Sequence, residues 1–525
     1  MAVTQQPSPR TKYITPVNII LMIAVLLFFY HQFVSSFSIF PESWNLGLSA
    51  PLDEFKKRVI EANRDGHWMF SFFFQPLKSS IDFYMRRTED FLYWLPWPVI
   101  IAFTFLLANK VGRLPLALLT SFSLIAMGLL GLWDESMKTL ALMVTAVTIS
   151  LSIGLPLGIW AARNDRVEQF LRPILDAMQT MPAFVYLIPV VLFFGIARVP
   201  SVIATVIYAI PPVVRLTNLG IRRVSSASIE AARAFGSTPR QMLTKVQIPQ
   251  AMPSIMTGVN QTIMMALSIV VIAALIGGGG LGDIVLKSLR RLQVGSALEA
   301  GLAIVFMAVL LDRLSFAFSK IDHVSIKKYQ GFRLLPNKWS DKSWAQTIEK
   351  PIAWMYKMGE RVQHKVEQLL SRLPNSHPKG AGRFSYAVTA AMVLLLLLIV
   401  SFALGWVDFP ASWNLSLNKP VDVAVKWAQV NLYQIGDTFI GTGPFSDFVS
   451  LYMLQPLRLL LLDWLAWPIV ILLVAAIAWA VSGWKLALYT AFSLLFIGWL
   501  GLKLLDKFTG KRRISVSDQK WLDEG

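Results

Sequence analysis

The chain has 525 residues, of which 55% are hydrophobic and only 15% charged. That balance excludes a soluble globular domain and points to a polytopic membrane protein. With no cysteine there are no disulfides or thiolate metal sites, and the five histidines show no metal-ligand spacing. The formal charge of +18 fits basic cytoplasmic loops beside anionic lipid better than nucleic-acid binding.

Residues 1–16 are a polar tail whose Arg10 and Lys12 place the N-terminus in the cytoplasm. Residues 17–132 form an N-terminal membrane region. Its first span, Val17 to Val34, lacks a small-residue cleavage site. An external stretch follows, with amphipathic pieces at Asp53 to Asn63 and Pro76 to Phe91 suited to the outer bilayer surface. Trp94 to Ala108 and Leu114 to Leu132 are two more spans, joined at a cytoplasmic turn marked by Lys110 and Arg113.

Residues 133–320 read as the core. Its expected spans are Lys138 to Ala162, Met178 to Ala197, Val199 to Val214, Ala251 to Ile276 and Ala297 to Phe318. Arg163, Arg166, Arg172, Arg215, Arg222 and Arg223 mark the cytoplasmic ends. Gly277 to Gly282 reads as a tight external turn that uses positive φ. Asp283 follows it, and no Gly-x4-Gly-Lys-Ser/Thr pattern occurs in the chain. Any ATP that drives this protein is therefore handled by another subunit.

One polar, basic stretch interrupts the core, from Val224 to Pro253. Ile229 to Phe235 is a run of helix formers, and Gly236 follows where a helix needs a left-handed terminal residue. Thr238 with Gln241 forms a capping box for a second helix, with Pro239 at its first position. Pro249 and Pro253 are expected to end the cytoplasmic part. Ala231 and Ala232 offer a smooth face that another protein can approach closely, and Glu230 suits the positive end of the helix dipole.

Residues 321–383 are a basic connector. Ile352, Met355, Met358, Val362, Val366, Leu369 and Leu370 recur at helical spacing, which predicts a helix lying on the inner leaflet or facing a partner. Residues 384–505 then repeat the N-terminal membrane region. Phe409 to Leu415 echoes Phe40 to Leu46, Gln455-Pro456-Leu457 echoes Gln75-Pro76-Leu77, and Trp467-Pro468 echoes Trp97-Pro98. Thr490 to Leu494 echoes Thr120 to Leu124. Residues 506–525 are a tail unlike anything upstream, and no second Glu-Ala-Ala loop occurs.

Glu230-Ala231-Ala232, Gly236 and Val246-Gln247-Ile248-Pro249 resemble the EAA loop of binding-protein-dependent ABC importers. Gly154 to Gly158, Leu175 to Thr180, Pro182 to Tyr186, Gly258 to Thr262 and Gly279 to Gly282 resemble the permease subunit of glycine betaine, proline betaine and choline importers. The resemblance implies an all-α polytopic fold with a type I importer core, here followed by a partial duplicate of the N-terminal region. It implies an inner-membrane permease that is not itself catalytic. Its implied partners are a cytoplasmic ABC ATPase, which uses ATP and Mg, and an external substrate-binding protein. A second permease core is also implied, most simply from a homodimer. Glu230, Ala231, Ala232, Gly236, Ile248 and Pro249 are the ATPase-coupling residues it implies. Phe184 and Tyr186 are candidates for a weak cation–π transit site, with core packing as the alternative. Asn260 and Gln261 are further path candidates, with interhelical hydrogen bonding as the alternative.

The segments Thr139 to Ala161, Ala183 to Ala197 and Ala251 to Gly282 contain no acid or base before Asp283, which argues against a proton relay. An ion-coupled secondary carrier for a small solute is the alternative class, because backbone carbonyls can hold Na⁺. The basic turns predict eleven spans and an external C-terminus, with Lys511-Arg512-Arg513 outside against the positive-inside tendency. Protease or tag accessibility in sealed vesicles checks this: an external tag is expected, and a cytoplasmic one contradicts the eleven-span topology.

Overall fold

The computed structural model describes residues 16–33, 41, 44, 51, 53–54, 57–58, 68–319, 381–433, 441–460 and 465–500. The expected connector helix, both tails and most of Asp53 to Asn63 lie outside the described residues. Among the described residues all regular structure is helical. A bilayer imposes this, because backbone groups in hydrocarbon must be satisfied within the segment.

In chain order the helices are α1 (Pro16–Phe33), α2 (Gln75–Trp94), α3 (Trp97–Leu129), α4 (Trp133–Arg163) and α5 (Asp165–Thr180). Then come α6 (Ala183–Phe194), α7 (Arg198–Arg222), α8 (Ser226–Ala234), α9 (Ile248–Ala273), α10 (Gly280–Arg290) and α11 (Val294–Ser319). The repeat region holds α12 (Ala381–Ala403), α13 (Asn418–Asn431), α14 (Trp467–Ser482) and α15 (Trp484–Trp499). Among the described residues, four helical runs are long and apolar enough to cross a bilayer, six if each of two bent pairs is one span, and five shorter apolar helices lie within other expected spans.

The residues form two compact units, Asn63–Val425 and Met1–Ala62 with Lys426–Gly525. In the larger unit, α7 is gripped between α4 and α9. Small residues allow this. A Cβ at Gly158 of α4 would sit 2.7 Å from Thr217 Cβ and 2.8 Å from the Val214 carbonyl oxygen. Gly154 lies against Val213, and Gly258 of α9 would put a Cβ 3.1 Å from Val213 Cα. Thr262 of α9 donates to the Ala209 carbonyl at 3.0 Å, and Ser254 donates to the Leu216 carbonyl at 2.8 Å. Close backbone approach with interhelical hydrogen bonds is how helices associate where lipid removes the hydrophobic contrast.

The amphipathic helix α2 buries Ile81 and Met85 against Leu142, Val199 and Val202 of α4 and α7. Glu89 accepts from Arg198 at 2.6 Å. Ile81 and Met85 thus pack on the core, while Leu77, Phe83 and Phe91 of the same helix stay exposed.

The α3 run is helical throughout, yet its ends lie together. The Trp97 ring is 5.1 Å from Phe409, and Gly128 packs on the same ring. A straight helix of this length would hold them ~46 Å apart, so the run doubles back, as a basic turn at Lys110 and Arg113 leads one to expect. Phe409 also stacks on Trp133 at 5.5 Å, and the Leu415 N–H donates to the Leu129 carbonyl at 2.7 Å. α12 packs beside α3, with Phe402 on Trp94 and the Trp97 N–H donating to the Val407 carbonyl.

Two expectations need correction. The span Met178 to Ala197 is not one helix: α5 and α6 meet at 103°. Met181 is extended (φ −70°, ψ 133°), as the residue before Pro182 is constrained to be. Helical residues run from Pro239 to Ile276, and Pro253 lies inside α9. A π turn over Met242–Gln247 precedes Pro249, which sits in the first turn of α9, where its missing N–H costs little. After the glycines, where φ is positive at Gly277, Gly279 and Gly280, comes an unexpected helix, α10. The Leu281 N–H at its start donates to Thr139 Oγ1 at 2.9 Å.

In the smaller unit, α14 and α15 form a hairpin about Gly483, whose φ is +89°. Ala475, Ala478 and Ala487 pack it. α1 lies on α14 through Ala24, Ala466 and Ile469, and Trp44 meets Trp467 edge-on at 6.0 Å.

Gly158→Val puts a branched side chain into the Val214 backbone. It is expected to destabilise the protein by ~1–3 kcal/mol, the usual range for overpacking. Thermal melting of the purified protein in detergent should show the loss, and an unchanged melting point would contradict the clamp.

Candidate functional site

The loop between α7 and α9 is built from local chemistry. Ser225 caps α8, accepting from the Ser228 N–H at 3.4 Å. The far end closes with the Gly236 N–H donating to the Arg233 carbonyl at 2.9 Å and the Ser237 N–H to the Ala232 carbonyl at 3.0 Å. That pair of bonds requires a left-handed residue, and Gly236 supplies φ +74°. The capping box is complete: the Thr238 N–H donates to Gln241 Oε1 at 2.9 Å, and the Gln241 N–H donates to Thr238 Oγ1 at 3.3 Å.

The loop is anchored from beneath. Leu243 is buried with Ile221, Ala251 and Ile255, and Leu155, Ile159, Ala162 and Ile248 pack around them. This cluster ties the π turn to the adjoining ends of α4, α7 and α9. Arg222 adds a clip, donating to Asp165 at 2.7 Å and to the Ala161 carbonyl at 2.7 Å. Arg215 pairs with Asp176. Such exposed pairs orient helices more than they stabilise them.

The expected coupling residues divide into two sets. Glu230, Ala231, Gly236 and Pro249 face outward. Ile248 is half-buried in the anchoring cluster, and Ala232 is only 9% exposed. α8 is rotated so that Ala231 is outward and Ala232 lies underneath. Phe235 was missed by the sequence reading, which used it only as a helix former. It ends α8 with its ring 90% exposed. A large aromatic beside the helix-terminating glycine was the available signal.

The four path candidates also divide. Tyr186 is buried, its hydroxyl donating to the Met178 carbonyl and its ring 6.0 Å from Tyr208. Asn260 accepts from the Ser315 hydroxyl of α11, which is the interhelical role weighed as the alternative. Phe184 and Gln261 remain exposed.

These features define a class: a helical, multi-pass membrane protein with a short helix held on the ends of its central spans. Residues 154–321 match the family model described as binding-protein-dependent transport system inner membrane component. The chain is 48% identical over 276 residues to the glycine betaine/proline betaine transport system permease protein ProW of Escherichia coli K12, covering 51% of this chain and 78% of that one. It is 50% identical over 228 residues to the glycine betaine/carnitine transport permease protein GbuB of Listeria monocytogenes, covering 43% and 81%. It is 44% identical over 246 residues to the glycine betaine transport system permease protein OpuAB of Bacillus subtilis, covering 47% and 87%.

The chain belongs to this family of inner-membrane permeases. It is the non-catalytic membrane subunit of an ABC importer, with a separate ATPase and a substrate-binding protein as partners. Nothing supports the secondary-carrier alternative.

Structural consequences follow for the loop. Gly236→Val has open space around it but the wrong backbone angle, and should cost ~1–2 kcal/mol. Ala232→Arg should lever α8 off its bed. Both variants should speed hydrogen exchange or proteolysis of residues 226–248, whereas Ala231→Arg and Phe235→Ala should not. Equal protection in all four variants would contradict the rotation of α8.

Proposed function

We propose that this permease imports quaternary ammonium osmolytes: glycine betaine, proline betaine, choline or a close relative. The substrate class rests on the names of its relatives, and the driving mechanism rests on the preformed loop. That loop is the single observation that carries the reading. Its exposed surface of Glu230, Ala231, Phe235 and Gly236 stands on a rigid bed formed by three helices.

In this reading the ABC ATPase docks on α8, with Phe235 as an aromatic anchor of the kind that dominates protein contacts. Ala232 and Ile248 support the docking helix from below, and Pro249 lies at its junction with α9. ATP and Mg belong to the partner subunit. ATP-driven closure moves α8, and α7 and α9 carry that motion into the spans. The quaternary ammonium has no N–H to donate, so aromatic faces suit it, at ~0.5–2 kcal/mol per contact. Phe184 is the candidate for a weak contact during transit, with Gln261 as a polar neighbour of the path. Tyr186 and Asn260 support the helices instead. Two cores act together, because one Glu-Ala-Ala loop docks one ATPase. A second copy of this chain, joined through residues 138–319 within membrane lipid, is the simplest source of the other.

Cells lacking other betaine uptake should accumulate labelled glycine betaine when this chain is expressed with its partners. Ala231→Arg and Phe235→Ala should each reduce uptake and ATPase stimulation at unchanged abundance and melting point. Wild-type uptake in Ala231→Arg would overturn the docking surface. Native mass measurement should show two permease cores with two ATPases, and one core with two ATPases would contradict the paired arrangement.

A further inference from the structure

The two copies of the repeated region do not each fold on themselves. In the larger unit, the second copy's first helix, α12, lies on the first copy's hairpin, α3, and Trp413 meets Trp97 at 5.8 Å and 68°. In the smaller unit, the first copy's helix α1 lies on the second copy's hairpin, α14–α15. There Trp44, the counterpart of Trp413, meets Trp467, the counterpart of Trp97, at 6.0 Å and 67°. Each leading segment has thus docked on the other copy's hairpin, with the same residues in the same geometry. The second copy is one half of an exchanged pair.

The pair is unequal in one respect. Aligning Trp97 with Trp467 sets Leu116-Ala117-Leu118 against Leu486-Ala487-Leu488, and Phe122-Ser123-Leu124 against Phe492-Ser493-Leu494. Thr120 and Gly128 match Thr490 and Gly498. In the first copy Thr120, Ser123, Leu124 and Met127 are buried. The cover is α11, through Ala303, Met307 and Leu310, together with the start of α4 at Trp133 and Met137. In the second copy Thr490, Ser493, Leu494 and Ile497 are all partly exposed, and Phe496, at the position of buried Ala126, is more than a third exposed. The side of Leu118 needs no such cover: Leu118 is exposed in the first copy, as Leu488 is in the second.

We propose that the half-buried side of α15, carrying Thr490, Ser493, Leu494 and Ile497, is the seat of a second permease core of the kind formed by residues 133–319. The occupant is specified by the first copy. Nearly the same row of residues is already closed there by a helix such as α11 and the start of one such as α4. Small Ser and Thr side chains let helices come close in a membrane, and interfaces are enriched in them. This inference rests on the two-core reading and changes its source. An identical chain has its own α11 already covered by its own α3, so the core seated here is one that does not bring its own hairpin.

The test uses the assembled transporter purified from its own membranes, with a photo-crosslinking amino acid at Leu494. Leu488, on the side left open in both copies, is the control. The expected adduct at Leu494 is a peptide of a permease core, from its counterpart of α11, the second helix after its Gly-rich turn, and this adduct is lost at Leu488. Lipid adducts alone at Leu494, or an adduct with α15 of another copy, would overturn the proposal. Because the chain has no cysteine, Ser493→Cys gives a second reading. A maleimide should modify it several-fold more slowly in the assembled transporter than in the isolated chain, and equal rates would overturn the seat. Two copies of this chain in the native mass, with only lipid at Leu494, would leave paired cores standing and remove this seat alone.

Discussion

The structure depends on how closely three backbones approach. α7 is gripped because Gly154 and Gly158 on one side, and Gly258 on the other, carry no side chain where it passes. Lipid offers no hydrophobic contrast to drive helices together, so contact area and interhelical hydrogen bonds must do it. A side chain at Gly158 would displace backbone, not a flexible tip. The result is a body with few internal degrees of freedom, the state of a densely packed interior. The loop between α7 and α9 is short, and both its ends belong to that body. Leu243 is sunk among residues of α4, α7 and α9, so a force on α8 acts on all three helices at once. Rigid elements moved at one end are the usual means by which a local event becomes a change of access.

This arrangement separates support from contact within six residues. Ala231 and Ala232 are chemically identical neighbours, yet one faces outward and the other lies beneath the helix. In the docking proposed above, the first sets how closely a partner can come. The second sets how closely α8 lies on the rest of the chain. Phe235 completes the outward side at the point where Gly236 turns the backbone away.

What was legible in the sequence was what depends on neighbours along the chain. Gly236 and the Thr238–Gln241 box were readable because a left-handed terminus and a capping box are written in adjacent residues. The glycine motifs were recognisable by resemblance, but their purpose became visible only when α7 was found against them. The rotation of α8 was not legible, because a nine-residue helix with alanines on two sides shows no clear apolar stripe. The bend at Pro182 was missed because an apolar stretch on either side of a proline reads as one span. The partners of the repeats were hidden for a different reason. Trp97 and Trp467, like Trp44 and Trp413, present the same side chains, so either copy's leading segment satisfies either hairpin equally well in sequence. Only the packing shows that they have exchanged.

The central claim is that this permease moves its solute with energy delivered through α8 by an ATPase. The most direct measurement places the purified permease with its ATPase and binding protein in sealed liposomes. Labelled glycine betaine is supplied outside, ATP and Mg inside, and no ion gradient is imposed. The account predicts accumulation that requires internal ATP and the binding protein. Accumulation driven by a Na⁺ or proton gradient without ATP would contradict it.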